Sequence, residues 1–526
     1  MLNRKWREDT WSDLDQLWDV IVIGGGITGA GIFNMAAQKG LRVVLLEARD
    51  FAFGTSSRSS KLIHGGIRYL KNRQFDVVRE SVRERERLIH ESDGLVDPLA
   101  FIFPAYEHSQ QEAQLMRLGV IAYDLMAPKW QHDFLKPEKV LKSLPALNPQ
   151  ELVGGVQYYD SRLDDSQLVL RVIADGVRFG GLAINYAKVT GLCKSRWGRV
   201  EGVAVQDQTG TLSPATKELR GNVVINATGP WSDDIRQSVS SEAKLRRLRG
   251  SHLIFAHEKL PIQSAATMLH PRDNRALFAI PWGGRTMIGT TDLDDPSQED
   301  ESRIAPLEYE YLMEAAHYAF PDFPVGDADL IASFAGVRPV VNTHAATPSQ
   351  ESRAHQVWEE DGLVTISGGK LTIFRVMAAD ALNFCHERLP GDLKFDHQAP
   401  CFIHPAPEAN PKASEQAWQM MAGRLGSDVN AFFDSAEPDA LKPIDPMPQF
   451  WAELAWAAEN EAVVHLDDLL LRRVRVGLLM PQGGLGEIER IQKLVQGPLG
   501  WSDETWQAEV DRYREIWQGY YHLPRT

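Results

Sequence analysis

The chain has 526 residues, 43% of them hydrophobic and 24% charged, the balance of a soluble globular protein too long for a single core. Its 56 lysines and arginines against 71 acids leave a formal charge of −15, which excludes a general nucleic-acid binder but leaves room for a local basic pocket. Three cysteines, Cys193, Cys385 and Cys401, fit no metal-ligand spacing; they read as reduced thiols of a cytosolic chain, and no metal site is expected.

The opening MLNRKWREDTWSDLDQLWDV carries charges and lacks the apolar core of a signal peptide. No run approaches the ~20 apolar residues that span a bilayer, so membrane contact would be peripheral. DVIVI (19–23) reads as a buried strand, GGGITGAGIFNMAAQKG as a tight turn and a helix ending near Gly40, and LRVVLLEA as a second strand. Gly24, Gly26 and Gly29 then make a G-x-G-x-x-G between strand and helix. The first permits the turn, the second admits a pyrophosphate, and the third lets helix and strand pack closely. Ile27 and Thr28 open the helix whose N-terminus meets the negative charge. Glu47, 18 residues past Gly29, ends the second strand where a carboxylate accepts ribose hydroxyls. A Gly-rich turn beside a surface glutamate is the bland alternative, and the strand–turn–helix–strand context argues against it.

TSSRSSKLIHGGIRYL (55–70) follows directly, where a nicotinamide-binding fold would continue with further strand–helix units. Its small residues, Ser56 to Ser60 and the Gly65–Gly66 pair, let backbone lie against a cofactor, and Arg68 and Tyr69 at its end offer donors to an anion. The next segment, 73–91, reads as a long Arg-rich helix with a solvated face of Glu/Arg pairs; a membrane or partner surface is the alternative. Strands are expected at 182–189, 199–206, 222–227, 277–290 and 363–367, and an amphipathic helix from Lys370 with Met377, Ala378, Ala381 and Leu382 inward. VVINATGPW (223–231) ends a strand in small residues beneath a Pro-Trp, so Ala227, Thr228, Gly229 and Trp231 would approach a dinucleotide from its other side. ISGGKLT (366–372) sets Gly368 and Gly369 before a helix start, whose N–H groups, with Leu371 and Thr372, would face a flavin pyrimidine. Three Gly-rich points, each at a strand end, favour FAD over NAD. From about 390 a Pro-rich linker leads into a Trp-rich helical region, read as a separate domain.

TSSRSSKLIHGGIRYL, NATGPW, GSH (250–252), IGTTD (288–292), GVRP (336–339) and GGKLT, in this order, resemble the FAD-dependent glycerol-3-phosphate dehydrogenases over nearly the whole chain. The resemblance implies an α/β fold: a Rossmann-like FAD-binding domain of the amino-acid-oxidase/hydroxylase type with an inserted α+β substrate domain and a C-terminal helical domain. The expected boundaries are FAD-binding parts at 1–98, 161–240 and 331–390, substrate-domain parts at 99–160 and 241–330, and the helical domain at 391–526. It further implies noncovalent FAD, sn-glycerol 3-phosphate as substrate, a membrane quinone as acceptor, and a cytoplasmic protein touching the inner face of the membrane, with a homodimer compatible.

By the same resemblance Thr55, Ser56, Ser60, Leu62, His64, Gly65 and Val189 join the cofactor contacts. Arg68, Tyr69 and Lys370 lie near the substrate phosphate, and Arg338 lies near the flavin and the reacting carbon. The chemistry agrees, since a phosphorylated secondary alcohol requires a phosphate clamp, a hydride acceptor and a proton acceptor. His252 is the favoured base; His64 orients the loop or touches the flavin ring. Asp292 either orients substrate or a basic side chain, or simply caps its loop. Arg353 approximates a second substrate-region arginine. GGKLTIFR departs from the family's GGKLTTYR, so Ile373 and Phe374 replace two hydroxyl residues and are expected to alter polar contacts under the flavin. The long insertion of the oxygen-using oxidase branch is absent, which favours quinone. A hydroxy- or amino-acid oxidase on the same fold, the other reading, needs fewer cations for its single carboxylate.

Overall fold

The fold was obtained as a computed structural model, which describes residues 2–66, 75–124, 132–295, 297, 301–348, 351–402 and 407–523. The first strand, Leu17–Ile23, is apolar on both sides because both sides are covered. Val20 and Val22 pack with the helices Ile27–Gln38, Asp165–Arg178 and Phe374–Phe384, whereas Ile21 and Ile23 pack with Trp11, Val203 and Val205. It is a central member of an eight-stranded sheet ordered Gln356–Glu360, Leu363–Ser367, Thr216–Asn226, Leu17–Ile23, Val43–Leu46, Leu182–Ile184. The inner pairs are parallel, and the hairpin Ala187–Lys194/Val200–Asp207 attaches to Thr216–Asn226.

A ten-stranded, mainly antiparallel sheet forms the second layer, ordered Leu293–Asp294, Leu245–Ala256, Arg285–Gly289, Ala276–Trp282, Ala265–Leu269, Val96–Tyr106, Leu152–Leu163, Leu62–Ile63. Leu330–Val341 pairs along Leu245–Ala256 and carries the chain back toward the first sheet. Two expected strands are each divided. The 182–189 segment turns at Tyr186, which has φ of 51°, so its halves serve different parts of the sheet. The 277–290 segment folds back at Gly283–Gly284 into an antiparallel hairpin, because both glycines take positive φ.

The Arg-rich helix spans Phe75–Glu91, and its expected solvated face of ion pairs is corrected. Glu84 and Arg85 are buried: Arg375 bonds Glu84 at 2.8 Å and Glu91 at 2.7 Å, and Arg85 bonds Asp160 at 2.7 Å. The cause is tertiary, since Arg375 and Asp160 come from distant sequence to meet these side chains. Only part of the arginine set, including Arg79 and Arg83, remains exposed.

After Lys370 a turn of 3₁₀ helix, Leu371–Ile373, precedes the α-helix Phe374–Phe384, in which Met377, Ala378, Ala381 and Leu382 are buried. The C-terminal helices Trp451–Asn460, Ile488–Leu499 and Asp503–Tyr520 share one apolar cluster with the ten-stranded sheet, in which Leu469, Tyr513 and Trp517 join Phe101, Tyr158 and Trp282. A smaller cluster, with Phe432, Phe433 and Trp456, lies wholly within the C-terminal region. Among the described residues no helix is long and apolar enough to cross a membrane, and no His/Cys/Asp/Glu group could hold a metal. All three cysteines are free.

Candidate active site

Between the two sheets lies a cavity of about 1520 Å³. That exceeds the ~300–1,000 Å³ of a typical single-ligand pocket, as a dinucleotide together with a second small molecule requires. One end is built by the strand ends of the parallel sheet. Gly24 has φ of 108°, and a Cβ there would stand 2.7 Å from the Ala227 carbonyl oxygen, so only glycine lets the first strand and the ATG turn converge. Gly26, the N-cap of Ile27–Gln38, brings no side chain over the helix N-terminus, and Ser56 Oγ accepts from Ile27 N–H at 2.9 Å. Glu47 accepts Gly25 N–H at 2.6 Å and Arg49 N–H at 2.8 Å. Burial raises its pKa, and the two amides hold it down in opposition. A helix N-terminus whose own N-cap carries no side chain, beside a carboxylate at the second strand end, fits the pyrophosphate and ribose of FAD.

At the other end three guanidinium groups converge on one carboxylate. Arg338 donates to Asp292 Oδ1 at 3.1 Å, Arg353 approaches Oδ2 at 3.2 Å, and Arg275 lies 3.5 Å from the same Oδ2. Strand register brings them together: Leu248 stands opposite Arg338, and Gly250 comes two residues later. A Cβ on Gly250 would strike the Arg338 guanidinium and the Thr290 hydroxyl, and that hydroxyl accepts from Arg338 at 2.9 Å. Asp292 thus faces three basic side chains.

His252 is 1% exposed and stacks on Phe334, with ring centroids 4.7 Å apart. Its Nε2 lies 2.9 Å from Ser60 Oγ, while Nδ1 is buried without a hydrogen-bond partner. Burial first, then the Arg338 and Lys61 cations, push its pKa well below the ordinary value, so the imidazole is neutral at neutral pH. Lys61 stands behind this group, fully buried, 4.8 Å from the Phe334 ring centroid and bound to Asp165 at 2.9 Å. Burial pushes it down to about 8, against the pull of Asp165.

The loop at His64–Gly66 is held from two sides. Gly65 N–H donates to Tyr123 Oη at 2.8 Å and Asp160 Oδ1 at 3.2 Å, and Tyr123 donates to the same Asp160 atom at 2.6 Å. From the opposite side Lys370 Nζ donates to the Gly65 carbonyl at 3.2 Å.

Of the residues expected from sequence, Gly24, Gly26, Ile27, Thr28, Glu47, Thr55, Ser56, Ser60, Leu62, His64 and Val189 line this cavity. So do Ala227, Thr228, Gly229, Trp231, His252, Asp292, Arg338, Arg353, Gly368, Gly369, Lys370, Leu371 and Thr372. Gly29 and Gly65 lie behind the wall: a Cβ on Gly29 would strike the Gly24 carbonyl, and one on Gly65 would strike Tyr123. Arg68 and Tyr69 fall outside the described residues. The expectation that Ile373 and Phe374 alter polar contacts under the flavin is corrected. Both are 1% exposed in the apolar cluster beneath the parallel sheet, and Phe374 lies where a Cβ on Gly31 would meet it, so neither side chain faces the cavity. Sequence reading missed Arg275, Tyr123 and Asp160. Arg275 alone carried a signal, as a cation just before the strand Ala276–Trp282.

Residues 19–372 match the family model described as FAD dependent oxidoreductase, and residues 382–506 match the C-terminal domain of alpha-glycerophosphate oxidase. An aerobic glycerol-3-phosphate dehydrogenase of Staphylococcus saprophyticus subsp. saprophyticus is 32% identical, with 94% of each chain covered. A glycerol-3-phosphate dehydrogenase 2 of Mycobacterium tuberculosis is 33% identical over 96% of this chain and 89% of its own. Among solved structures, the glycerol-3-phosphate dehydrogenase from Bacillus halodurans, complexed with FAD, superposes with a TM-score of 0.76 at 25% identity, covering 98% of both chains. An L-alpha-glycerophosphate oxidase from Mycoplasma pneumoniae with FAD bound shares the fold, at TM-score 0.57 and 18% identity over 73% of this chain and 98% of its own.

Proposed function

The chain belongs to the family of FAD-dependent glycerol-3-phosphate dehydrogenases, and from that premise we propose that it oxidises sn-glycerol 3-phosphate to dihydroxyacetone phosphate, with a membrane quinone as the final acceptor. The carrying observation is charge: three guanidinium groups, those of Arg275, Arg338 and Arg353, surround the single carboxylate of Asp292 in the cavity wall. That surplus suits a dianionic substrate and an alcohol whose oxygen gains negative charge as its hydrogen leaves. A hydroxy acid, with its single carboxylate, would leave more of it unmatched.

Bound FAD supplies the acceptor for the hydride leaving C2, at flavin N5. His252 takes the hydroxyl proton at Nε2, the atom that Ser60 holds, and the carbon–oxygen double bond forms as the two hydrogens part. Arg338, fixed by Asp292 and Thr290, stabilises the oxygen while it carries charge. Lys370, which braces the loop at Gly65, takes the phosphate, together with Arg68 and Tyr69 as the family resemblance implies.

An apolar acceptor is supported by the other wall of the cavity, where Phe101, Phe103, Met116, Leu269 and Phe278 lead to Leu115, which is 68% exposed. That exposed apolar opening supports a peripheral seat on the membrane, on the cytoplasmic face that the family resemblance implies. The test is anaerobic: the purified holoprotein is mixed in turn with glycerol 3-phosphate, glycerol and lactate while the flavin absorbance is followed. Bleaching by glycerol 3-phosphate alone is expected. An intact flavin spectrum that glycerol 3-phosphate leaves unbleached overturns the reading. Reoxidation by a soluble quinone, faster than by dissolved oxygen, distinguishes a dehydrogenase from an oxidase.

A further inference from the structure

One histidine of the C-terminal region, absent from every motif discussed so far, stands in the wall of the cofactor cavity. His465 lines the cavity together with Glu47, Arg49, Tyr186 and Gln208, at the end where Glu47 meets the helix N-terminus. Its imidazole is held in one orientation. Nδ1 lies 2.8 Å from Glu509 Oε1 on the last helix, and the Tyr186 ring meets it edge-on with centroids 5.0 Å apart. Its backbone N–H donates to Asp468 at 2.8 Å, and Asp468 also accepts from the Tyr186 hydroxyl at 2.6 Å.

The segment that carries it is locked to the FAD-binding loop. Arg473 makes two bonds of 2.7 Å to the two oxygens of Asp50, three residues beyond Glu47, and Arg472 adds a third at 2.5 Å. All three side chains are buried. An imidazole orientated this firmly, on a wall tied this closely to the ribose-binding strand end, is a built surface.

We propose that the C-terminal region completes the FAD site, with His465 a binding residue for the adenosine half of the cofactor. Burial opposes protonation, but Glu509, bonded at Nδ1–H, and Asp468 raise the imidazole pKa overall, so Nε2–H is a donor suited to a purine ring nitrogen or a ribose hydroxyl, and the ring face is suited to stacking. The sequence hid this role because His465 lies more than 400 residues from Glu47.

The experiment titrates flavin-stripped full-length protein with FAD by fluorescence quenching, and separately with ADP, which carries the adenosine end alone. His465→Ala is expected to raise the Kd for FAD about tenfold, roughly 1.4 kcal/mol, and the Kd for ADP by a similar factor, at an unchanged unfolding midpoint. Glu509→Gln, which loosens the ring without removing it, is expected to give a smaller loss of the same kind. A Kd for FAD within twofold of wild type in His465→Ala overturns the proposal, as does weakened FAD binding with ADP binding intact. The substrate-induced bleaching is read independently, so failure there leaves this assignment standing.

Discussion

Replacing Arg338 with alanine tests whether the arginine cluster takes part in chemistry or only in architecture. The side chain bonds Asp292 at 3.1 Å, the Thr291 carbonyl at 3.3 Å and the Thr290 hydroxyl at 2.9 Å. It is 25% exposed, and Asp292 keeps Arg353 and Arg275 when it goes, so no carboxylate is stranded. The cost to folding is therefore about 1 kcal/mol, that of an ordinary partly exposed network member. The cost to catalysis is larger, because a donor aimed at developing charge in a closed site contributes about 3–4 kcal/mol. Flavin reduction by glycerol 3-phosphate should slow by about 10²–10³-fold, while FAD content and the flavin spectrum stay those of wild type. Stopped-flow measurement of the bleaching rate at saturating substrate, anaerobically, separates the two effects. A reduction rate within threefold of wild type refutes the reasoning and leaves Arg338 a structural ion-pair partner.

Outcomes are expected at three further residues. Because the folded-state pKa of His252 is depressed by burial and by Arg338 and Lys61, the neutral base persists as pH falls below about 6.5; kcat/KM should hold through that range, and His252→Asn should lower it by about 10²–10⁴-fold. An acid limb centred near 6.5 that vanishes in the variant contradicts this. The same shift has a stability consequence of definite sign: below about 6.5 the unfolded chain binds a proton that the folded one refuses, so this residue lowers the urea midpoint as pH drops toward 5. Tyr123→Phe removes one of the two acceptors of Gly65 N–H and a donor to Asp160, with a cost of about 1–2 kcal/mol. KM for glycerol 3-phosphate should rise severalfold with FAD affinity constant, and an unchanged KM denies the loop-positioning role. Asp50→Ala removes the carboxylate that both terminal nitrogens of the buried Arg473 bond, while Arg472 keeps Asp467 and Asp468; thermal unfolding should report a loss of about 3–5 kcal/mol, and a shift equivalent to under 1 kcal/mol excludes this anchor.

Local chemistry settled much of this protein. The apolar runs 19–23 and 43–46, the glycines between them and Glu47 specify a strand–turn–helix–strand unit by short-range rules alone, and the structure forms that unit in parallel register. The Gly-rich strand ends at 227–229 and 368–369 were legible for the same reason, since a close backbone approach demands a small residue wherever it occurs. Helical periodicity marked the buried face at Met377, Ala378, Ala381 and Leu382.

Tertiary structure decided where distant charges meet. Nothing within a few residues of Glu84, Arg85 or Ile373 announces a buried partner; Arg375, Asp160 and the helix Ile27–Gln38 supply those surroundings from elsewhere. Asp292 could cap a loop or orient a cation until antiparallel pairing of Leu330–Val341 with Leu245–Ala256 set Arg338 beside it. His252 became a neutral imidazole for the same reason, because Ser60 and Lys61 of one loop and Phe334 and Arg338 of a distant strand bury it beside two cations. A pattern in sequence reports which face a residue turns inward. Sheet register and domain packing alone determine which opposing charge it finds there, and in the low-dielectric interior that partner sets its protonation state and its chemistry.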